Sequence, residues 1–277
     1  MEVQSLYKRA VSLYQEEGLG GLCRSIPGKI LLSLKDLYAD FYLSFLRRKN
    51  KSNVILVNVL GNKMFVDLRN NRIGFHLVKY GIWEPDTVKW LNEFLHLGMK
   101  VLDIGANIGY FALIEAKIVG NSGKVYAVEP DPRNLELLRK NVQINNLHNV
   151  ELFDCAISNR SGVENFYLSK TSSHNSLLPI SKKLGELKVR AYTVDDFLKE
   201  NGIGWIDAIR MDVEGAEGKI IDGASLTLEK AEVIFVEIHP QLIRLTGYST
   251  KWIFEKLKCY GFVLARKGKN HVFVKKR

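Results

Sequence analysis

From Trp83 to the C-terminus, short apolar runs alternate with segments whose apolar residues recur every three or four positions. KVLDIG, KVYAVEP, VELFDCAI, IDAIRMDV and EVIFVEI read as five strands, each an apolar run bounded by turn or charged residues. Between the first two, Tyr110, Phe111, Ile114 and Ile118 mark the inner face of a helix. The second strand is followed by another helix, opened by Asp131–Pro132 and carrying Leu135, Leu138 and Val142 on one face. A helix over 249–260 then leads into FVLARKG and HVFVKKR, a terminal antiparallel hairpin. Strands this apolar, alternating with helices, predict an α/β fold with a doubly wound, mostly parallel sheet covered on both faces. Its ligands belong at the carboxyl ends of the strands.

The pattern before Trp83 is different. Leu6, Ala10 and Leu13, then Leu31, Leu34, Leu37, Tyr38, Phe41 and Phe45, recur with helical spacing, punctuated by GLGGL and Pro27–Gly28. RRKNKSN reads as a linker, and NVILVNVLGNKMFVDL as a hairpin turning at Gly61–Asn62. The chain therefore divides into a helical segment over 1–52, a β-hairpin extension over 53–80 and an α/β domain over 81–277.

Composition narrows the setting. An apolar share of 46% and a charged share of 25% in 277 residues are those of an ordinary globular protein. Cys23, Cys155 and Cys259 are scattered, with no CxxC pair, which fits a reducing, cytoplasmic compartment rather than a disulfide framework or structural zinc. The first residues carry early acids and no apolar core, so no signal peptide is predicted. Lys35, Asp36 and Asp40 interrupt the most apolar stretch and exclude a simple membrane span, which leaves peripheral docking through the N-terminal helices open. The net charge of +10 is concentrated late: from Lys251 onward nine lysines and arginines face a single glutamate. Such a tail reads as a solvated edge, and a nucleic-acid partner is not expected because the aromatic-with-basic pattern of an RNA-binding module is missing.

The candidate chemistry begins at VLDIGANIGYF. Asp103 closes the first strand, Gly105 allows a sharp turn with no Cβ against a ligand, and Gly109 opens the next helix where packing or ligand approach forbids a side chain. Glu129 ends the second strand, where an acid can accept both hydroxyls of a ribose. A dinucleotide site would want Gly-x-Gly-x-x-Gly, but Asn107 replaces the middle glycine, and an acid beside the turn would repel pyrophosphate. S-adenosylmethionine fits better: its ribose reaches Glu129 while its cationic amino-acid end lies near Asp103.

With GKVYAVEPDPRN, KNVQINNL, YTVDDFL, MDVEGAEGKII and VEIHP following, and YGIWEP preceding, the chain resembles the FkbM-type methyltransferases from Tyr80 to about Pro240. The resemblance implies a Rossmann-like seven-stranded fold, S-adenosylmethionine as cofactor and O-methylation of sugar or polyketide hydroxyls. It also implies that Asp103, Gly105, Ala106, Asn107 and Gly109 cradle the methionine part and Glu129 the ribose. Pro130 and Asn134 would lie at the adenosine edge, with Cys155–Ala156, or else Asp154, against the adenine.

Methyl transfer to an alcohol needs alignment and a base within hydrogen-bonding distance. Asp212, at the end of the fourth strand, is the first candidate, although it could equally cap a helix starting at Val213. Glu214 and Glu217 are expected on one helical face, Glu214 nearer the strand end. His239 follows the fifth strand and completes the catalytic set Asp212, Glu214 and His239. These three could hold a divalent metal, but their spacing matches no standard signature, so none is expected. The polar stretch from Ser169 to Glu186 reads as a loop over the site, with His174, Asn175 and Ser176 available to a polyol. Trp83 and Glu84 could lie over the cofactor, while Asp195–Asp196 read only as a helix start. The expected activity is therefore O-methylation of a hydroxyl on a glycan, glycolipid or glycosylated small molecule. RNA methylation through the basic tail and a non-catalytic cofactor-binding domain are the alternatives.

Overall fold

The computed structural model describes residues 53–68, 72–169, 175–179 and 183–276, so the helices expected over 1–52, and His174, lie outside the described residues. From Val54 onward the chain forms one compact unit. Its strands are β1 (Val54–Val59), β2 (Asn62–Asp67), β3 (Lys100–Ile104), β4 (Lys124–Val128), β5 (Val150–Phe153), β6 (Ala156–Ile157), β7 (Gly162–Ser169), β8 (Lys183–Tyr192), β9 (Ala208–Met211), β10 (Val233–Glu237), β11 (Phe262–Lys267) and β12 (Asn270–Lys275). Its longer helices are α1 (Arg72–Tyr80), α2 (Pro85–Phe94), α3 (Tyr110–Val119), α4 (Pro132–Ile144), α5 (Val194–Glu200), α6 (Glu217–Asp222), α7 (Ser225–Lys230), α8 (Pro240–Ile243) and α9 (Thr250–Cys259).

Seven strands form the main sheet in the order β11-β12-β10-β9-β3-β4-β5, parallel except where β12 pairs with β10 and β11. Every residue of β9 and β10 is buried, as expected of strands covered on both faces. Each fully buried Val, Leu or Ile here contributes roughly 1.5–3 kcal/mol of apolar transfer. From β3 the chain runs outward through β4 and β5, then returns to β9 on the other side of β3. That reversal opens a crevice beyond the carboxyl ends of β3 and β9.

Pairing register fixes what faces that crevice. Ile104 pairs with Val128 on one side and Met211 on the other, and Met211 pairs with Val236. The residues that follow, Gly105, Glu129, Asp212 and Glu237, are thereby delivered side by side. The hairpin β1–β2 docks on α4, where Asn141 Oδ1 accepts from the Phe65 amide at 2.6 Å and Asn145 Oδ1 from the Lys63 amide at 2.9 Å.

Two expectations are corrected. VELFDCAI is not one strand: β5 ends at Phe153, and Ala156–Ile157 leave the main sheet to pair with β8 in a three-stranded sheet, β6-β8-β7. Nor is the stretch from Ser169 to Glu186 simply a polar loop, because its ends belong to the antiparallel β7–β8 ladder and Ser176 bridges to Tyr167. The alternation of Leu187, Val189 and Ala191 with Lys188 and Arg190 was the available signal. Among the described residues no helix is long and apolar enough to cross a membrane.

Candidate active site

A cavity of about 310 Å³ opens at the crevice. At one end Val128, Ala156, Ile157, Phe166 and Leu177 give it an apolar wall beside Glu129, with Pro130 and Cys155 adjoining. At the other end stand Arg210, Asp212, Glu214, Glu237, His239 and Lys269, with Trp83 and Tyr110 on the wall. Ala106, Asn107 and Gly105 form the floor between the two ends.

Glu129 is held in place by the chain around it. Its Oε2 accepts from the Asn107 amide at 2.8 Å and its Oε1 from the Asp131 amide at 2.9 Å. Burial pushes its pKa up to about 8, against the lowering effect of those amides. Asn134 is buried behind it and donates to it, without reaching the cavity. Asp131 caps α4 by accepting from the Arg133 amide at 2.9 Å.

The glycine turn works by packing rather than by clearance for a ligand. Gly105 has φ of +78°, and a Cβ on it would meet the Asp212 carbonyl oxygen at 2.3 Å, so it lets β3 and β9 close against each other. Gly109, with φ of +90°, lies under Leu138 of α4, whose Cδ1 would be 2.4 Å from a Cβ. Gly105→Ala should therefore destabilise the fold by about 2–3 kcal/mol, readable in a denaturant titration, since both the φ and the backbone contact resist it. An unchanged midpoint would refute this account of the turn.

Asp103 does not reach the cavity. It is wholly buried and pairs with Arg210, Nη1 to Oδ1 at 2.8 Å. The expected contact with a cationic ligand end is corrected on that ground: its charge is already met by a guanidinium reaching in from β9. Arg210 lies over the Phe111 ring, 4.0 Å from the centroid, and its Nη2 stands 3.7 Å from Asp212 Oδ2. Glu115 is also fully buried, and burial, then the nearby Asp103 carboxylate, raise its pKa well above the ordinary value, with Arg210 opposing.

Asp212 caps no helix, since α6 begins only at Glu217. Enclosure by the protein and the neighbouring Glu237 carboxylate, opposed by Arg210 and His239, raise its pKa to about 8. A quarter of its side-chain surface still opens on the cavity. Glu214 is likewise not helical: it adopts φ of +49° in the strand-to-helix turn, where Ser176 Oγ donates to its carbonyl at 2.8 Å. Glu217 therefore does not share a helical face with Glu214. It is buried at the start of α6 and points to His239.

His239 faces carboxylates from both ring nitrogens. Nδ1 is 2.6 Å from Glu217 Oε1, and Nε2 is 3.3 Å from Glu237 and 3.6 Å from Glu214. Burial opposes the imidazolium, but the hydrogen bonds to Glu217 and Glu237 outweigh it and lift the pKa to about 11. The ring thus favours its protonated form at neutral pH, which suits it to hold carboxylates rather than to take a proton. Ligand atoms of Asp212, Glu214 and His239 come within 4.8 Å of one another, a grouping able to hold a metal only if that ring gives up its proton.

Of the expected acceptor residues, Asn175 lines the cavity and donates to Asp131 Oδ2 at 2.6 Å. Ser176 is buried behind it, and Glu84 is engaged outside the cavity lining by Lys269, by Asn270 Nδ2 at 2.7 Å and by Thr87 Oγ1 at 3.1 Å. Residue-by-residue reading missed Arg210, Lys269 and the part played by Glu237. Lys269 was hidden in the basic tail, three of whose cations bind inside the protein: Lys269 to Glu84 and Glu237, Arg266 to Glu93, and Lys275 to the Leu228 carbonyl.

The cavity suits S-adenosylmethionine: an apolar wall for a base, a carboxylate at a strand end for a diol, and a polar end for an amino acid and its acceptor. Sequence comparison agrees. A family model described as the methyltransferase FkbM domain matches residues 103–264. The 2-O-methyltransferase NoeI of Sinorhizobium fredii is 31% identical over 51% of this chain and 63% of its own length. The hexuronic acid methyltransferase AglP of Haloferax volcanii is 25% identical over 56% of this chain and 62% of its own. The chain thus spans less than two thirds of either relative. Among solved structures, M. jannaschii TYW2 in complex with AdoMet aligns at 16% identity over 82% of this chain and 89% of that one, with a TM-score of 0.41.

Proposed function

The chain belongs to the FkbM methyltransferase family, and from that membership we propose that it moves the methyl group of S-adenosylmethionine to a hydroxyl of a glycan, glycolipid or glycosylated small molecule. When bound, the cofactor supplies a methyl group on a cationic sulfur, open to in-line attack by an oxygen nucleophile. The protein's share is to align that oxygen, exclude water and take its proton.

One observation carries the reading: Asp212 opens on the same cavity as Glu129, with a pKa lifted to about 8. A carboxylate so poised is a stronger base than an ordinary aspartate, and only about a tenth of it is ionised at pH 7, the fraction rising as pH climbs through about 8. Glu237 raises that pKa, while Arg210 and His239 restrain it. Glu214, in its left-handed turn, stands ready to accept a second acceptor hydroxyl. The names of two relatives, NoeI as a 2-O-methyltransferase and AglP as a hexuronic acid methyltransferase, support an oxygen on a sugar as the class of acceptor.

Calorimetric titration with S-adenosylhomocysteine tests the cofactor end. Glu129→Ala should weaken binding by about 30- to 100-fold, because the hydroxyl contacts to its carboxyl oxygens are lost and two backbone amides are left unmet. Affinity untouched by this change, or no binding by the intact chain, would sink the proposal.

A further inference from the structure

We propose that the acceptor is a sugar unit without an anionic substituent, stacked on Trp83 with its hydroxyls accepted by Asp212 and Glu214; this rests on the methyl transfer proposed above. Asp212, Glu214 and Glu237 line the acceptor end, and Glu84 and Glu217 stand directly behind, in contact with its cations. Against these carboxylates stand two further cations, Lys269 and His239, while Arg210 is shared between Asp103 and Asp212, 2.8 and 3.7 Å away.

Neither cation is free for an anion. His239 meets Glu217 at Nδ1 and both Glu237 and Glu214 at Nε2. Lys269 lies between Glu84 and Glu237, 3.0 Å from the latter. A carboxylate, sulfate or phosphate on the acceptor would enter a lining whose cations are neutralised and whose surplus charge is negative, so it would be repelled, and in this the chain would differ from AglP, named for a hexuronic acid. Hydroxyls meet no such barrier, since each can donate to a carboxylate.

Trp83 is an independent observation pointing to the same ligand class. Its ring belongs to the cavity wall, and its backbone is clamped on the Tyr110 hydroxyl, 3.1 Å from its amide nitrogen and 2.9 Å from its carbonyl oxygen. His76 packs edge-on at 4.8 Å, and Lys269 Nζ lies over the ring, 5.0 Å from its centroid, so a sugar set against Trp83 would also meet this donor. A fixed aromatic plate beside an array of hydrogen-bond acceptors matches a pyranose, which has an apolar C–H face and a hydroxyl edge.

Saturation-transfer NMR on the full chain with S-adenosylhomocysteine bound tests this, using neutral methyl pyranosides against their matched uronates and 6-phosphates. The neutral sugars should bind at least about tenfold more tightly. Trp83→Ala, compared at saturating S-adenosylhomocysteine, should weaken them about tenfold, and Glu214→Gln should shrink the neutral-to-uronate ratio. Uronates binding equally well, no transfer to any neutral pyranoside, or indifference to Trp83→Ala would each overturn the proposal. Loss of S-adenosylhomocysteine binding itself reports instead on the cofactor reading, so the two failures are told apart.

Discussion

Asp212→Asn should lower kcat/KM by about a thousandfold while S-adenosylhomocysteine affinity stays within a factor of about three. The amide keeps the shape of the carboxylate but cannot take the acceptor's proton, and Asp212 lies away from the adenosine end lined by Glu129 and Ala156. The pH profile carries the same prediction. The carboxyl is raised from an ordinary value of 3.8 to about 8, so its basic form is lost as pH falls through about 8. Activity should therefore decline on the acid side of that point. A plateau extending down to pH 6, or an asparagine variant retaining a tenth of the activity, would remove Asp212 from the role of base. His239 offers no substitute, since its pKa of about 11 keeps it protonated throughout that range.

Arg210→Met should have the largest effect on stability. It strands Asp103, fully buried, without its guanidinium partner, and removing one member of a buried pair costs about 3–5 kcal/mol. For a domain of this size that is a fall in Tm on the order of 10 °C. Pairing it with Asp103→Leu should recover most of the loss, because an apolar replacement of both partners leaves no buried charge. A double variant as unstable as the single one would show that Arg210 acts mainly through Phe111 or Asp212 rather than through Asp103. Both variants also bear on function, since the same guanidinium restrains the Asp212 pKa.

The cofactor end was readable because its parts are local. The KVLDIG strand, the turn at Gly105 and the acid after KVYAVEP lie within one βαβ unit, and parallel register sets Ile104 beside Val128. Gly105 makes the sharp turn expected of it, and packing, one of the two reasons open for Gly109, holds there. The partners that require them, the residue after β9 for Gly105 and Leu138 of α4 for Gly109, come from elsewhere in the chain. Asp195–Asp196 were read correctly as a helix start. Thr193 caps α5 there, and Asp195 accepts from the Thr227 amide at 2.9 Å.

The sequence alone determined the alternation of strands and helices, the terminal hairpin and the acid that follows β4 into the cavity, because periodicity and strand-end residues are properties of short segments. Tertiary structure alone decided the ionic state of the acceptor end. Arg210 meets Asp103 across 107 positions and Asn270 meets Glu84 across 186, and only folding reveals which carboxylates such contacts occupy. A charge's chemistry follows from what surrounds it, so the cavity-facing Asp212, the carboxylate-held His239 and the buried ion pair look alike along the chain and become distinct only when packed.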